Sequence, residues 1–296
     1  MANNPPFVTN YRGRFAPSPT GPLHFGTLVA AVGSYLEAKS HDGEWLVRIE
    51  NLDTPREISG ASSEILRTLE SLEMKWDHDV VYQSERNSVY QTTLAILDEY
   101  GVIYPCTCTR REIADSSITG VSGPVYPGTC RSNLLNKKQI GALRVITDNS
   151  LVKFKDALRG QISQRLESET GDFVLRRADG IYAYQLAVVV DDAEQGITHV
   201  VRGADLLDST PRQIYLQKLL GYPTIKYMHL PVVVNNQGKK LSKQNLATPL
   251  DISNPVAQLI ATVSFLGQEP PTELLKNSIS SFWEWAIKNW CPEKIP

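Results

Sequence analysis

The segment Arg12-Gly13-Arg14-Phe15-Ala16-Pro17-Ser18-Pro19-Thr20-Gly21-Pro22-Leu23-His24-Phe25-Gly26-Thr27 decides the fold. It is a Gly/Pro-rich turn that runs straight into Leu28, Val29, Ala31, Val32, Tyr35 and Leu36 at helical spacing. A turn feeding a helix start exposes backbone N–H groups at the positive end of the helix dipole, a natural seat for a triphosphate. Gly26 lets a nucleotide approach the backbone closely, and His24 can donate to a phosphoryl oxygen as charge develops. Taken alone, the same residues serve equally well as a loop in which His24 satisfies a carbonyl.

Outward from this turn, strands alternate with helices, the pattern of a parallel sheet wrapped by helices. Glu44 to Glu50 reads as a strand. Thr54-Pro55-Arg56-Glu57 has the form of a capping box opening a helix that carries Ile58, Ile65, Leu66, Leu69 and Leu72. Ser84 starts a further helix that stops at Gly101. From about Pro105 to Gly171 the alternation weakens, with a Gly/Pro/Ser-rich stretch and short strand-like pieces such as Ala142 to Ile146, so this part reads as an insertion. The rhythm resumes with a strand at Ile197 to Arg202, a helix from Thr210-Pro211 to Gly221, and a strand at His229 to Val234 before an Asn236-Gln237-Gly238 turn. Asn254-Pro255 then opens a helical tail whose last segment carries Phe282, Trp283, Trp285, Ile287 and Trp290.

Lys239-Lys240-Leu241-Ser242-Lys243-Gln244 follows that Asn-Gly turn. A lysine run on a loop is usually solvated surface. Adenylate formation, however, needs positive charge that reaches the β and γ phosphates while the α phosphorus becomes pentacoordinate. A flexible lysine loop supplies this charge in the transition state without fixing it in the ground state.

With the two motifs together, the chain resembles the class I aminoacyl-tRNA synthetases. Their HIGH and KMSKS signatures correspond to His24-Phe25-Gly26-Thr27 and Lys240-Leu241-Ser242-Lys243-Gln244. It is similar more narrowly to glutamyl-tRNA synthetases, through R-F-A-P-S-P-T-G at Arg14 to Gly21, R-I-E at Arg48 to Glu50, V-V-D-D at Val189 to Asp192 and T-H-V-V-R-G at Thr198 to Gly203. The runs K-L-S-K-Q-N at Lys240 to Asn245 and A-Y-x-L-A-V-V-V-D-D at Ala183 to Asp192 resemble the short paralogues of those enzymes, which place glutamate on queuosine. Asn51, Ala204, Leu206 and Gln244 depart from the pattern of the full-length enzymes.

The resemblance implies an α/β fold: a class I synthetase Rossmann-like parallel sheet with a zinc-bearing insertion and a short C-terminal helical segment. Residues 1–104 and 172–245 would be the halves of the catalytic domain, the second carrying the lysine loop. Residues 105–171 would be the insertion, and 246–296 a helical segment in place of an anticodon-binding domain. It further implies that His24, Lys240 and Lys243 are catalytic and that His24, Gly26, Thr27, Lys240, Ser242 and Lys243 bind ATP with its Mg²⁺. Arg14, Ala16, Ser18, Glu50, Tyr184 and Arg202 would bind glutamate, with Glu50 on the α-amino group and Arg202 on the side-chain carboxylate.

Physically, free glutamate requires arginine forks for two carboxylates and an acid for its ammonium. Glu50 and Arg202 stand at strand ends, where ligands collect in open α/β sheets, although an ordinary ion pair is the alternative. A buried arginine would reject glutamine, whose neutral amide leaves its charge unpaired.

Cys106-Thr107-Cys108 and Cys130 offer three thiolates with no histidine between them, before and beyond a capping box at Thr109-Arg110-Arg111-Glu112. The C-x-C spacing leaves a zinc site and three inert cysteines both open. The short paralogues' C-x-C…Y-x-x-x-C pattern maps onto Cys106, Cys108, Tyr126 and Cys130, which implies a structural zinc with tyrosine as fourth ligand.

Thirty basic against thirty-two acidic residues give a net charge of -2, so any RNA contact must rely on a local patch. Four cysteines are too few for a disulfide scaffold, and with no export signal or long apolar run in the sequence the expectation is a cytoplasmic protein. The partners implied are ATP, L-glutamate and queuosine-bearing tRNA(Asp), with no membrane and a monomeric state. The rival expectations are a truncated glutamyl-tRNA synthetase charging tRNA(Glu) and a non-catalytic RNA- or amino-acid-binding regulator.

Overall fold

A computed structural model describes residues 11–121, 123–133, 141–234, 250 and 253–296. The chain runs β1 (Arg12–Phe15), α1 (Phe25–Lys39), β2 (Glu44–Ile49), α2 (Ala61–Ser71), β3 (Val81–Tyr82), α3 (Asn87–Glu99) and β4 (Ile103–Cys106). It continues through α4 (Arg110–Ser116), β5 (Thr119–Gly120), β6 (Gly123–Pro124), β7 (Ala142–Val145), β8 (Leu151–Asp156), β9 (Gly160–Arg165), α5 (Leu166–Glu169) and β10 (Val174–Arg176). It ends with α6 (Tyr184–Glu194), β11 (His199–Gly203), α7 (Thr210–Leu220), β12 (Lys226–Leu230), α8 (Pro255–Phe265) and α9 (Ile279–Asn289).

β1, β2 and β3 pair in parallel, with Arg12 opposite Glu44 and Arg14 opposite Leu46. β11, β12 and β8 form a second parallel set, to which β9 adds as the antiparallel partner of β8. The two sets meet at β1 and β11, where the Thr198 N–H donates to the Arg12 carbonyl at 2.9 Å. This is the α/β architecture expected from the alternation. β4, β7 and β10 make a separate antiparallel sheet.

α1 is covered on both sides, which explains why its sequence is apolar nearly all round. Leu28, Val32 and Leu36 share one core with Trp45, Val47 and Ile49 of β2, Leu259 and Val263 of α8, and Phe282 of α9. Each such aliphatic side chain contributes roughly 1.5–3 kcal/mol on burial. Gly33 sets the spacing, because a Cβ there would lie 2.6 Å from Leu230 Cδ1 of β12. The tail is fastened to the same layer: Trp283 Nε1 donates to the Leu72 carbonyl at 2.8 Å and Trp290 Nε1 to Glu37 at 2.6 Å. Among the described residues no helix is long and apolar enough to cross a membrane.

Several sequence boundaries shift. Thr54–Arg56 forms only a 3-10 turn, after which Glu57 is extended and Gly60 takes a φ of 81°, so α2 begins at Ala61. Ile58 therefore lies outside the helix and is 53% exposed. The helix expected from Ser84 begins at Asn87: Gln83–Glu85 form a separate 3-10 turn, and Arg86 (φ -111°, ψ 14°) breaks it from the helix that follows. β12 stops at Leu230 instead of continuing to Val234, since Pro231 brings no N–H to the ladder. The Asn236-Gln237-Gly238 turn lies outside the described residues.

Asp172 locks the cysteine-bearing segment to the sheet. Its carboxylate accepts from Tyr104 OH, Arg131 Nε (2.8 Å), the Thr147 N–H (2.7 Å) and Thr147 Oγ1 (2.9 Å). Beside it Gly171, at a φ of 72°, lies so close to Tyr126 that a Cβ would sit 2.5 Å from that residue's carbonyl. Burial pushes the Asp172 carboxyl up, but Arg131, Thr147 and Tyr104 outweigh it and hold it below the ordinary range. Its contribution is then fully present above the unfolded value of about 3.9 and lost as pH falls through the depressed folded value. Asp172→Asn is expected to cost about 2–3 kcal/mol at pH 7 and much less at pH 2, Arg131 being partly solvated. Urea unfolding at the two pH values measures the difference.

Candidate active site

A cavity of about 540 Å³ opens where the carboxyl ends of β1, β2, β11 and β12 converge, reached by Phe15, Glu50, Gly203 and Leu230. Ligands of open α/β sheets gather at such a crevice between sheet halves. Arg14, Ala16, Ser18, His24, Gly26, Thr27, Glu50, Tyr184 and Arg202, drawn from four separate stretches of sequence, all line it. Lys240, Ser242 and Lys243 lie outside the described residues.

The turn after β1 is held open by backbone bonds. The Glu50 N–H donates to the Pro17 carbonyl and the Ile58 N–H to the Pro19 carbonyl, both at 3.0 Å. His24 is extended (φ -120°, ψ 170°) and caps α1 through Thr27: its N–H donates to Thr27 Oγ1 at 2.8 Å, and that hydroxyl donates back to the His24 carbonyl at 2.7 Å. These bonds leave the start of α1 facing the cavity, with Gly26 and Thr27 on its wall.

Opposite lies a buried charge cluster. Arg14 Nε reaches Asp192 Oδ1 at 3.1 Å, and Arg48 Nη2 reaches the same oxygen at 2.8 Å and Glu50 Oε1 at 3.4 Å. Arg48 Nη1 donates to Gln195 Oε1 at 2.7 Å. Asp191 accepts from Gln83, Arg86 and Tyr90 at 2.7, 2.6 and 2.9 Å. Burial pushes the Asp192 carboxyl up, yet Arg14 and Arg48 outweigh it and hold it low. At Glu50 burial prevails over Arg48 and Arg14, so its carboxyl sits above the ordinary range. A cation arriving in the cavity beside Glu50 would oppose that rise.

Arg202 crosses from β11 to the far wall. Its Nε donates to His229 Nε2 at 3.1 Å, its Nη1 to Tyr184 OH at 3.2 Å, and its Nη2 to Thr210 Oγ1 at 2.8 Å and the Leu206 carbonyl at 3.4 Å. The cavity thus offers a fixed guanidinium on one side, a carboxylate with arginines on another and a helix start between.

In the sequence Arg48, Asp191 and Asp192 fall within motifs and His229 opens a strand, none with a role assigned, and Asp156 and Gln195 stand in no motif. An arginine inside an apolar strand and paired acids at the end of an apolar helix were the available signals. Nothing in the sequence tied Asp156 to His229.

The cysteines meet away from this cavity. The three Sγ atoms of Cys106, Cys108 and Cys130 lie within 4.8 Å of one another, and Cys108 and Cys130 are 3.5 Å apart. Tyr126 OH lies 3.3 Å from Cys106 Sγ and 3.6 Å from Cys108 Sγ, and accepts from the Cys130 N–H at 2.9 Å. Tetrahedral zinc–thiolate bonds of ~2.3 Å place sulfurs ~3.8 Å apart, so this donor set fits zinc. Thr109 and Glu112 form the reciprocal capping box of α4 next to it, and Arg144 stacks on the Tyr126 ring at 4.0 Å.

Residues 10–259 match the family model described as tRNA synthetases class I (E and Q), catalytic domain. The chain is 53% identical to the glutamyl-Q tRNA(Asp) synthetase of Dechloromonas aromatica over 97% of its length and 96% of that protein's. It is 51% identical to that of Aromatoleum aromaticum, over 99% and 91% of the two chains. Its fold matches the glutamate tRNA ligase of Elizabethkingia meningosepticum, solved in complex with its amino acid, with a TM-score of 0.79 at 26% identity. That match covers 97% of this chain and 66% of the ligase.

Proposed function

We propose, from the premise that the chain belongs to the class I tRNA synthetases (E and Q) and within them to the glutamyl-Q tRNA(Asp) synthetases, that it activates L-glutamate with ATP and transfers it to queuosine. The acceptor is the wobble base of tRNA(Asp). The observation that carries this reading is the convergence of the helix-start turn, Glu50 and Arg202 on one cavity.

In the first step an oxygen of the α-carboxylate attacks the α phosphorus of MgATP, the bond to the β-phosphate bridge breaks, and pyrophosphate leaves. The start of α1, His24, Lys240 and Lys243 stabilise the departing charge, with Gly26, Thr27 and Ser242 beside the nucleotide. Glu50 takes the α-ammonium group, and Arg202 with Tyr184 takes the side-chain carboxylate. Arg14, Ala16 and Ser18 close the pocket. In the second step a hydroxyl of the queuosine cyclopentene-diol attacks the acyl carbon and AMP leaves.

We assign residues 1–104 and 172–245 to the catalytic domain, 105–171 to the insertion and 246–296 to the helical tail of a cytoplasmic monomer. Cys106, Cys108, Tyr126 and Cys130 would hold a structural zinc that clamps the insertion. Chelation is expected to open the insertion to protease while glutamate-dependent ATP–pyrophosphate exchange persists; simultaneous loss of both would place zinc at the chemistry.

Acylation of tRNA(Asp) with and without queuosine, beside tRNA(Glu), tests the function. Labelled glutamate on queuosine-containing tRNA(Asp) alone is the expected result. Charging of tRNA(Glu) alone overturns the acceptor, and absence of ATP–pyrophosphate exchange with glutamate overturns the activation step.

A further inference from the structure

We propose that Asp156 and His229 are positioning residues for Arg202, fixing the imidazole in the tautomer that holds the guanidinium and thereby setting the choice of glutamate over glutamine. The inference rests on the reading that Arg202 binds the side-chain carboxylate.

Both residues are fully buried, and His229 Nδ1 lies 2.6 Å from Asp156 Oδ2. The arrangement spans three adjacent strands: Arg202 and His229 are register partners on β11 and β12, while Asp156 ends β8, opposite Tyr227. An arginine Nε–H can only donate, so the His229 Nε2 that receives it must carry a lone pair. The ring proton therefore sits on Nδ1 and is donated to Asp156. Burial, outweighing Asp156, keeps the imidazole pKa below its ordinary value, which agrees with a neutral ring. Thr210 Oγ1 reinforces the pair, lying 3.1 Å from Nε2 and accepting from Arg202 Nη2.

Asp156 is itself held in one orientation. Its Oδ1 accepts from the N–H groups of Leu158 (3.0 Å), Arg159 (2.9 Å) and His229 (3.3 Å), which leaves Oδ2 for the ring. Asp156→Asn is thus a directed perturbation. Its carbonyl oxygen keeps the three backbone donors, so its amide NH₂ must face Nδ1. The ring proton then moves to Nε2, where two donors, Nε2–H and the Arg202 Nε–H, oppose each other and the guanidinium turns away.

The test is ATP–pyrophosphate exchange by the full chain, with glutamate and glutamine as alternative substrates. Asp156→Asn is expected to raise KM for glutamate about 10–100-fold, the scale on which removing the hydrogen-bonded support of a metal ligand acts. KM for ATP should hold and the glutamate-to-glutamine preference should fall. His229→Gln with Asp156 intact should keep much of the preference, because its amide NH₂ can donate to Asp156 while its Oε1 accepts from the Arg202 Nε–H; His229→Leu, which removes that acceptor, covers the case in which Asp156→Asn does not fold. An unchanged glutamate KM and preference in Asp156→Asn and His229→Leu, or equal rises in both KM values, overturns the inference. Arg202→Gln separates the two levels. If it spares glutamate KM, the carboxylate assignment itself fails; if it raises KM while Asp156→Asn and His229→Leu do not, the positioning inference alone fails.

Discussion

Arg202→Gln is expected to lower kcat/KM for glutamate by about 10²–10⁴-fold, with thermal stability and ATP affinity largely kept. Arg202 is buried, and its donors are organised by His229, Tyr184, Thr210 and the Leu206 carbonyl. A carboxylate brought against it is desolvated on arrival, so its charge must be met by this guanidinium. Removing one member of a buried charge pair costs about 3–5 kcal/mol, and each ~1.4 kcal/mol is tenfold in rate. Glutamine should lose far less, because a neutral amide forfeits no ion pair, so the discrimination between the two amino acids should collapse. Exchange kinetics with both amino acids measure this. An unchanged glutamate KM would mean that the side-chain carboxylate binds elsewhere.

His24→Asn should lower kcat for adenylate formation about 10²–10³-fold with little change in ATP affinity. Asparagine is a good helix cap, so the start of α1 and its Thr27 bonds should survive. Its amide nitrogen reaches only as far as the imidazole Nδ1, so a phosphoryl oxygen met by Nε2 loses its donor. Loss of one preorganised donor to developing charge costs about 2.7–4 kcal/mol, and it acts on the transition state more than on the bound nucleotide. Lys243→Ala should behave alike if the lysine segment acts on the same phosphates. Single-turnover kinetics with saturating ATP and glutamate report the step directly. A His24→Asn enzyme with normal kcat would reduce His24 to a capping residue.

The fold was largely legible because its signals are local. The Gly/Pro turn before Leu28, the Thr210-Pro211 start and Gly221 stop of α7, and Asn254-Pro255 at α8 each act within one helical turn, and each is observed. The boundaries shift where the backbone of one residue leaves the helical region. Arg86, at φ -111° and ψ 14°, separates a 3-10 turn from α3, and Gly60, at φ 81°, interrupts the helix promised by the Thr54 box. The part read as an insertion also gives β8 and β9 to the edge of β12, a pairing between residues about 70 positions apart that no local pattern announces.

By itself the sequence determined the α/β alternation, the helix-start turn and the residue types needed for phosphate, ammonium and carboxylate, because propensity and motif spacing are properties of short segments. Only the tertiary structure decided that Arg14, Glu50, Tyr184 and Arg202 share one cavity, and that Asp192 stands between Arg14 and Arg48 while His229 and Asp156 stand behind Arg202. The reason is physical. Buried charges must find partners, and the partner is whichever group the parallel strands bring within hydrogen-bond reach, set by register and packing across the sheet.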